Sequence, residues 1–293
     1  MIIQKSILIT GGAGFVGSNL IRLLLSKTKY HIISLDNYSS GSKKNHINNS
    51  RVKYLNGDTK NIKKFIRQPD KIHSIFHFGE FARIYQSFIN MNDCLDSNMI
   101  GTNSVFNFCL ENKIKLIYSA TSASLGNGGN DKNLSPYAFT KSKNLELLEN
   151  LKEWFNFKYD VIYFYNVYGP GQISRGKMAT VIGIFEEAFK KKKPLPVVLP
   201  GTQSRRFTHI DDTVTICYLA WKKNLSRHYS ISNKESFSIL EVAKMFKSKI
   251  RFLKKRPGER YSSALTSMNL SNKVHKHFGK KRLKEYIKKI INK

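Results

Sequence analysis

The chain has 293 residues, 41% of them hydrophobic, and sets 50 Lys and Arg against 20 Asp and Glu for a formal charge of +30. This length allows one large α/β domain or a domain with a smaller lobe, and no apolar run reaches the length of a membrane span. Cys94, Cys109 and Cys217 lie too far apart for a zinc site or a disulfide framework, which favours a reducing cytoplasm and no metal centre.

The chain enters an apolar run, Ile7 to Ile9, almost at once, leaving no room for a signal peptide. The run reads as a buried parallel strand. It leads into Thr10-Gly11-Gly12-Ala13-Gly14-Phe15-Val16-Gly17, and then into a helical apolar pattern of Phe15, Val16, Leu20, Leu23 and Leu24. The glycines satisfy both G-x-G-x-x-G and G-x-x-G-x-x-G. A turn of this kind lets backbone approach a pyrophosphate, and the helix after it points free N–H groups and its positive dipole end at the anion. A second strand, His31 to Leu35, ends at Asp36, about 20 residues beyond the glycines, where a carboxylate suits the ribose hydroxyls of NAD and repels the 2′-phosphate of NADP.

Segment 38–50 is polar and is expected to be a mobile loop. Arg51 to Gly57 and Ser74 to Phe78 read as the next strands, Asp93 to Glu111 as a helix, and Lys115 to Tyr118 as a fifth strand. Tyr137 to Phe155 reads as a long helix and Tyr159 to Tyr165 as a sixth strand. This alternation predicts an α/β fold, a doubly wound parallel Rossmann sheet over residues 1–168. From residue 169 the rhythm changes. Helices over 177–190, 211–223 and 238–247, a proline-bounded stretch at 194–201 and a strand at 229–232 predict a smaller, interleaved substrate lobe over 169–293, with some segments returning to the first domain. The cleft at the carboxyl ends of the strands is the expected ligand site.

The lysines favour solvated faces over a nucleic-acid surface. Lys190 to Lys193 follow a helix and precede Pro194, and the tail from Lys280 spaces lysine with Leu283, Tyr286, Ile287 and Ile290 at helical intervals. No basic run interleaves with stacking aromatics, so no specific nucleic-acid partner is expected.

The fifth strand runs into Ser119-Ala120-Thr121-Ser122-Ala123-Ser124, and the next helix opens Ser135-Pro136-Tyr137-Ala138-Phe139-Thr140-Lys141. Tyr137 and Lys141 stand at i and i+4 on one helical face. An ammonium near a phenol lowers its pKa and lets the phenolate act as a base near neutral pH. A hydroxyl at the strand end is placed to bond the same substrate oxygen. Taken alone, a Tyr–Lys pair is an ordinary surface feature of a helix.

With the glycine turn, the Y-x-x-x-K pair and the Ser/Thr-rich strand end together, the chain resembles an extended short-chain dehydrogenase/reductase, and more closely the NAD-dependent nucleotide-sugar epimerase/dehydratase group, of UDP-glucose 4-epimerase type. The likeness continues through Leu35-Asp36-Asn37, Gly57-Asp58, Asn98 with Gly101-Thr102, Asn166-Val167-Tyr168-Gly169-Pro170, Arg205-Arg206-Phe207 with Asp211-Asp212, and Arg256-Pro257-Gly258-Glu259. The resemblance implies NAD held by Gly11, Gly14, Phe15, Val16, Gly17, Asp36, Asn37, Asp58 and Lys141. It implies Tyr137 as base, Lys141 as the residue that lowers its pKa and holds the nicotinamide ribose, and Thr121 as the assisting hydroxyl, with Ser122 the alternative. It further implies a substrate site of Thr121, Tyr137, Asn166, Arg205, Arg256 and Glu259, the two arginines clamping a diphosphate. A UDP-sugar is the favoured substrate, and a homodimer formed by helices 93–111 and 137–155 is implied.

Three positions depart from the pattern. Glu80 stands where a small residue follows the His77 segment, and is either a carboxylate near the cofactor that alters substrate choice or an exposed charge at a strand end. Tyr163 replaces an arginine and Arg206 an aspartate. Dehydratases of the group carry Asp-Glu after the catalytic threonine, whereas Thr121 is followed by Ser122 and Ala123, which disfavours dehydration. Epimerisation at C4 through a 4-keto sugar is therefore the expected reaction. The alternatives are a dehydratase, decarboxylase or reductase of the same group, or a non-catalytic NAD- or RNA-binding protein.

Overall fold

The structure, a computed structural model, describes residues 5–257 and 274–292, with the backbone alone over 125–130. Its strands in chain order are β1 (Ser6–Thr10), β2 (His31–Asp36), β3 (Val52–Asn56), β4 (Ile72–His77), β5 (Lys115–Thr121), β6 (Tyr159–Phe164), β7 (Asn166–Tyr168), β8 (Leu195–Val198), β9 (Ser204–His209), β10 (His228–Ser232), β11 (Ser236–Ser238), β12 (Ile250–Leu253) and β13 (Val274–Phe278). The helices are α1 (Phe15–Lys27), α2 (Ile62–Phe65), α3 (Ile84–Ile89), α4 (Met91–Leu95), α5 (Thr102–Glu111), α6 (Pro136–Phe155), α7 (Val181–Lys190), α8 (Ile210–Lys223), α9 (Ile239–Met245) and α10 (Leu283–Ile291).

Eight strands form one parallel sheet in the order β13-β10-β6-β5-β4-β1-β2-β3. Both faces of this sheet are covered, so its strands alternate between two cores rather than between core and water. Ile7 and Ile9 of β1 pack with Leu20, Leu24, Val214 and Cys217 of α1 and α8 on one face. Leu8 faces the other way, toward a core built from Val105, Phe106 and Cys109 of α5 and Leu148 of α6. Truncating a fully buried anchor such as Leu20 to Ala costs about 2–5 kcal/mol. A third core, with Phe185, Leu195, Val197, Phe207, Phe246 and Ile287, joins α7, α9 and α10 to the small sheets β11-β9-β7 and β12-β8.

The chain starts inside the sheet at β1, runs outward through β2 to β3, and crosses back to β4 on the other side. The strand order therefore reverses between β1 and β4, and the crevice beyond their carboxyl ends is where such folds bind ligands. The two loops at that point nearly touch. A Cβ on Gly11, whose φ is +70°, would lie 2.8 Å from the backbone N of Gly79. A Cβ on Gly17 would lie 2.2 Å from the Gly11 carbonyl oxygen, so α1 can press against the turn only with glycine there.

Four expectations need correction or addition. The helix expected over 93–111 is broken into α4, a π turn over Asp96–Gly101, and α5. The wider turn accompanies the burial of Asn98, whose side chain accepts from Phe81 N at 2.7 Å and donates to Phe81 O at 3.1 Å. The helix expected from 177 begins at Val181, capped by Thr180. Segment 38–50 is tied to the glycine turn rather than loose: Ser42 N and Asn45 Nδ2 both donate to the Ala13 carbonyl, at 3.0 and 2.8 Å, and His46 stacks on Tyr54. Finally, β13 pairs in parallel with β10 and extends the large sheet. Its sequence, Val-His-Lys-His-Phe, carries no apolar periodicity that marks it as a strand.

Candidate active site

One cavity of about 820 Å³ lies at the switch point. Of the expected site residues, Gly11, Gly14, Phe15, Val16, Gly17, Asp36, Asn37, Asp58, Thr121, Tyr137, Lys141 and Asn166 border it. Arg205 and Arg256 do not. Arg205 is buried in β9, where it donates to the Ser204 carbonyl at 2.9 Å, and the Arg256 guanidinium lies over the Tyr85 ring at 4.8 Å. Glu259 lies outside the described residues.

The dinucleotide end fits its expected ligand. The N-cap of α1 is Gly14, with no side-chain cap, and the first turn holds no acidic residue. The opening N–H groups of the helix are thus left for an anion at the positive end of its dipole. Asp36 is buried at the end of β2, where its carboxylate accepts from Ala13 N at 2.9 Å and Tyr38 N at 2.8 Å. Burial raises its pKa and these backbone donors oppose the rise. Asn37 Nδ2 donates to Asp58 at 2.9 Å, which joins the ends of β2 and β3 at the crevice.

The other end of the cavity is assembled from β5, α6 and the loop after β4. Ser135 caps α6 by accepting from Ala138 N at 3.0 Å, and Pro136 occupies its first position. This fixes where Tyr137 and Lys141 fall. Tyr137 N is held further by Ser87 Oγ at 3.2 Å. Thr121 ends β5 and turns its hydroxyl back to accept from Ala123 N at 3.2 Å.

Lys141 is 3% exposed, and its ammonium is claimed from within the protein. Nζ donates to the Ser119 carbonyl at 2.5 Å and makes a short ion pair with Glu80. Glu80 is thus neither an exposed charge nor a free acid beside the cofactor. Its other oxygen accepts from Tyr118 Oη at 3.0 Å and Thr102 Oγ1 at 3.1 Å. Burial pushes the Lys141 pKa down and Glu80 pushes it back up. The pair is close to neutral as a whole, so Lys141 supports a Tyr137 phenolate less than an unpaired lysine would. One of its three N–H donors is left for a ligand.

A directed chain of hydrogen bonds stands behind the pair. Thr10 Oγ1 accepts from Phe78 N and Gly79 N, at 3.1 and 3.0 Å, so its own proton goes to His77 Nδ1 at 2.7 Å. His77 then carries its proton on Nε2 and donates to Thr102 Oγ1 at 2.9 Å, and Thr102 donates to Glu80. Burial lowers the His77 pKa to about 4, which keeps the ring neutral as this chain requires.

Arg83, on the same wall, was not singled out from the sequence. It follows the Glu80 departure by three residues and belongs to no local pattern. Arg83 borders the cavity, and the nearby Tyr137 hydroxyl opposes the fall in its pKa that burial causes. Tyr163, where an arginine was expected, is instead a core residue of β6 bonded to His228 Nδ1 at 3.1 Å. Arg206 bonds the Asn233 carbonyl at 3.0 Å, and Asn166 Nδ2 donates to the Arg206 carbonyl at 3.1 Å.

A parallel doubly wound sheet, a glycine turn at its switch point and a Tyr/Lys helix facing it together define an extended short-chain dehydrogenase/reductase. The chain belongs to the NAD dependent epimerase/dehydratase family, whose profile matches residues 7–232, and its cofactor is NAD. It is 28% identical to an ADP-L-glycero-D-manno-heptose-6-epimerase of Brachyspira hyodysenteriae, over 82% of this chain and 80% of that protein. It is also 28% identical to a putative UDP-glucose 4-epimerase of Methanocaldococcus jannaschii, over 98% and 97%. Among solved structures, the UDP-glucose 4-epimerase of Thermus thermophilus in complex with NAD superposes with a TM-score of 0.84, at 21% identity over 98% of both chains, which establishes the common fold.

Proposed function

We propose that the protein is a nucleotide-sugar 4-epimerase acting on a UDP-sugar. The observation that carries this reading is the joint placement of Tyr137, Lys141 and Thr121 on one cavity with the glycine turn, combined with Ser122-Ala123 after Thr121 in place of the acid pair that dehydration needs. The epimerase relatives support it, although one of them is named for a different carbon and a different nucleotide.

In this mechanism Tyr137 removes the proton of the C4 hydroxyl, and the Thr121 hydroxyl bonds the same oxygen and steadies the developing charge. NAD supplies reversible hydride acceptance and is not consumed over a turnover. The 4-keto sugar turns in the cavity, and Tyr137 returns its proton to the oxygen on the new face. Asn166 is assigned to the nucleotide end. Arg205 and Arg256, which do not border the cavity, are assigned to the diphosphate on the family resemblance alone.

The exposed apolar residues Ile89, Met91, Ile100 and Phe139 stand on or beside α3, α4, α5 and α6, and we assign this face to a homodimer contact. The three cysteines are buried and free, in keeping with a reducing cytoplasm. Among the described residues no helix is long and apolar enough to cross a membrane.

Proton NMR with UDP-glucose, its ADP and GDP counterparts and the matching 4-epimers tests the reaction. Deuterium placed at C4 should reappear at C4 of the product. Label found at C6, or lost to water, would exclude 4-epimerisation and favour dehydration.

A further inference from the structure

The cavity wall beside Tyr137 carries a cation that no acid of the described protein offsets. Arg83 occupies the N-cap position of α3, its side chain making no capping hydrogen bond. Its Nε and Nη2 donate to the Met178 carbonyl at 2.9 and 2.6 Å, and Nη1 donates to the Ala82 carbonyl at 2.7 Å. Carbonyl dipoles solvate a guanidinium without neutralising it. Glu80, three residues away, is already committed to Lys141. Arg83 is half-buried, where a cation with no counter-ion among the described residues is costly, and desolvation lowers its pKa, though a guanidinium keeps its proton. Three of its five N–H groups are used, which leaves a fork of the kind that matches an anion with two coplanar oxygens.

We propose that Arg83 receives a carboxylate carried on the sugar ring of the substrate, so that the substrate class is a nucleotide-linked uronic acid. This rests on the nucleotide-sugar reading above and narrows it. Tyr137 borders the same cavity as Arg83, and in the proposed mechanism it meets the oxygen on C4. In a hexuronate the carboxylate hangs from C5, the carbon next to C4, so a group gripping it belongs on the wall beside Tyr137. In the proposed mechanism the substrate diphosphate is assigned to Arg205 and Arg256, and the glycine-turn helix is taken by NAD, so Arg83 is assigned by its place beside Tyr137. Lys177, exposed at the same cavity, adds positive charge of the same sign at its rim.

Calorimetric binding to the NAD-loaded protein tests this, with UDP, UDP-glucose and UDP-glucuronate as the probes and wild type, Arg83→Gln and Arg83→Lys as the proteins. Wild type should bind UDP-glucuronate about 10-fold or more tighter than UDP-glucose, as one charge-assisted contact allows. Arg83→Gln should lose that preference with UDP affinity unchanged, and Arg83→Lys should keep part of it. Equal binding of the two sugars by wild type would overturn the proposal whatever the variants do. Equal weakening of UDP and UDP-glucuronate in Arg83→Gln would assign the residue to the diphosphate or to loop packing and would also overturn it. Failure of all three probes to bind would overturn the UDP-sugar reading, and this proposal as tested with it. Tight, Arg83-dependent binding of UDP-glucuronate without inversion at C4 would leave the carboxylate site standing and overturn the 4-epimerase reading alone.

Discussion

Glu80 and Lys141 form an ion pair inside the protein, their side chains 2% and 4% exposed, between a loop at the end of β4 and the helix that also carries Tyr137. The lysine is thereby positioned by the carboxylate before any cofactor arrives. Removing one member of such a pair strands a charge in the interior, at a cost of about 3–5 kcal/mol. Glu80→Ala should therefore lower the melting temperature sharply. The double variant Glu80→Gln, Lys141→Met should recover much of that loss while remaining inactive. Thermal melts of the two proteins provide the check, and equal destabilisation would show that the pair is not coupled as described.

Tyr137→Phe keeps the ring and removes the proton acceptor. It should fold, bind NAD and nucleotide sugar nearly as the parent does, and lose about 10²–10⁴-fold in kcat. Thr121→Ala should lose less than or about as much as one transition-state hydrogen bond, roughly 10²–10³-fold. Steady-state kinetics with binding measured separately decides. A loss confined to KM would place Tyr137 in binding rather than chemistry.

Asp36 is buried against the glycine turn, and a carboxylate at the end of this strand is expected to repel the 2′-phosphate of NADP. NAD should bind more tightly than NADP, and Asp36→Ser should weaken NAD and narrow the gap between the two. Titration of both dinucleotides reads this directly. An unchanged ratio in the variant would remove Asp36 from cofactor choice.

His77 gives the stability a pH dependence of defined sign. Its folded pKa is about 4, below the ordinary 6.5. Between those values the unfolded chain binds the proton and the native chain does not, so stability falls as pH is lowered through this window. The stabilisation is fully present above about 6.5 and lost by about 4, a span of roughly 3 kcal/mol. Melting temperatures taken from pH 7 to pH 4.5 should decline. His77→Gln, less stable at neutral pH, should show a shallower decline over the same range. Parallel curves for the two proteins would assign the acid sensitivity to other groups.

Arg256 stacks on Tyr85 rather than bordering the cavity. Arg256→Ala should raise KM for the nucleotide sugar, by about 1.5–3 kcal/mol for a lost charge-assisted contact, with NAD affinity unaltered. A matching loss of NAD affinity would contradict its assignment to the diphosphate.

The sequence alone determined the parts of this protein whose physics is local. The run from Ser6 to Leu24 names strand, glycine turn and helix because each depends on residues only a few positions apart. The same holds for Asp36 at a strand end and for Tyr137 and Lys141 one helical turn apart. Ser122 and Ala123 after Thr121, on which the proposed reaction partly rests, are legible for the same reason. What the tertiary structure decided involves partners distant along the chain. Glu80 was visible as a departure, but its meeting with Lys141, 61 positions away, follows from β4 and β5 lying side by side in the sheet. The Thr10–His77–Thr102 chain spans three elements, each ordinary by itself. Strand β13, with lysine and histidine inside it, became a strand only because β10 offered it a free edge. The charge of Arg83 was countable from the start, but that no acid among the described residues pairs with it was not. Periodicity reports which face of an element is apolar; it does not report which charges the packed elements bring together, because that is fixed by strand order and helix docking across the whole domain.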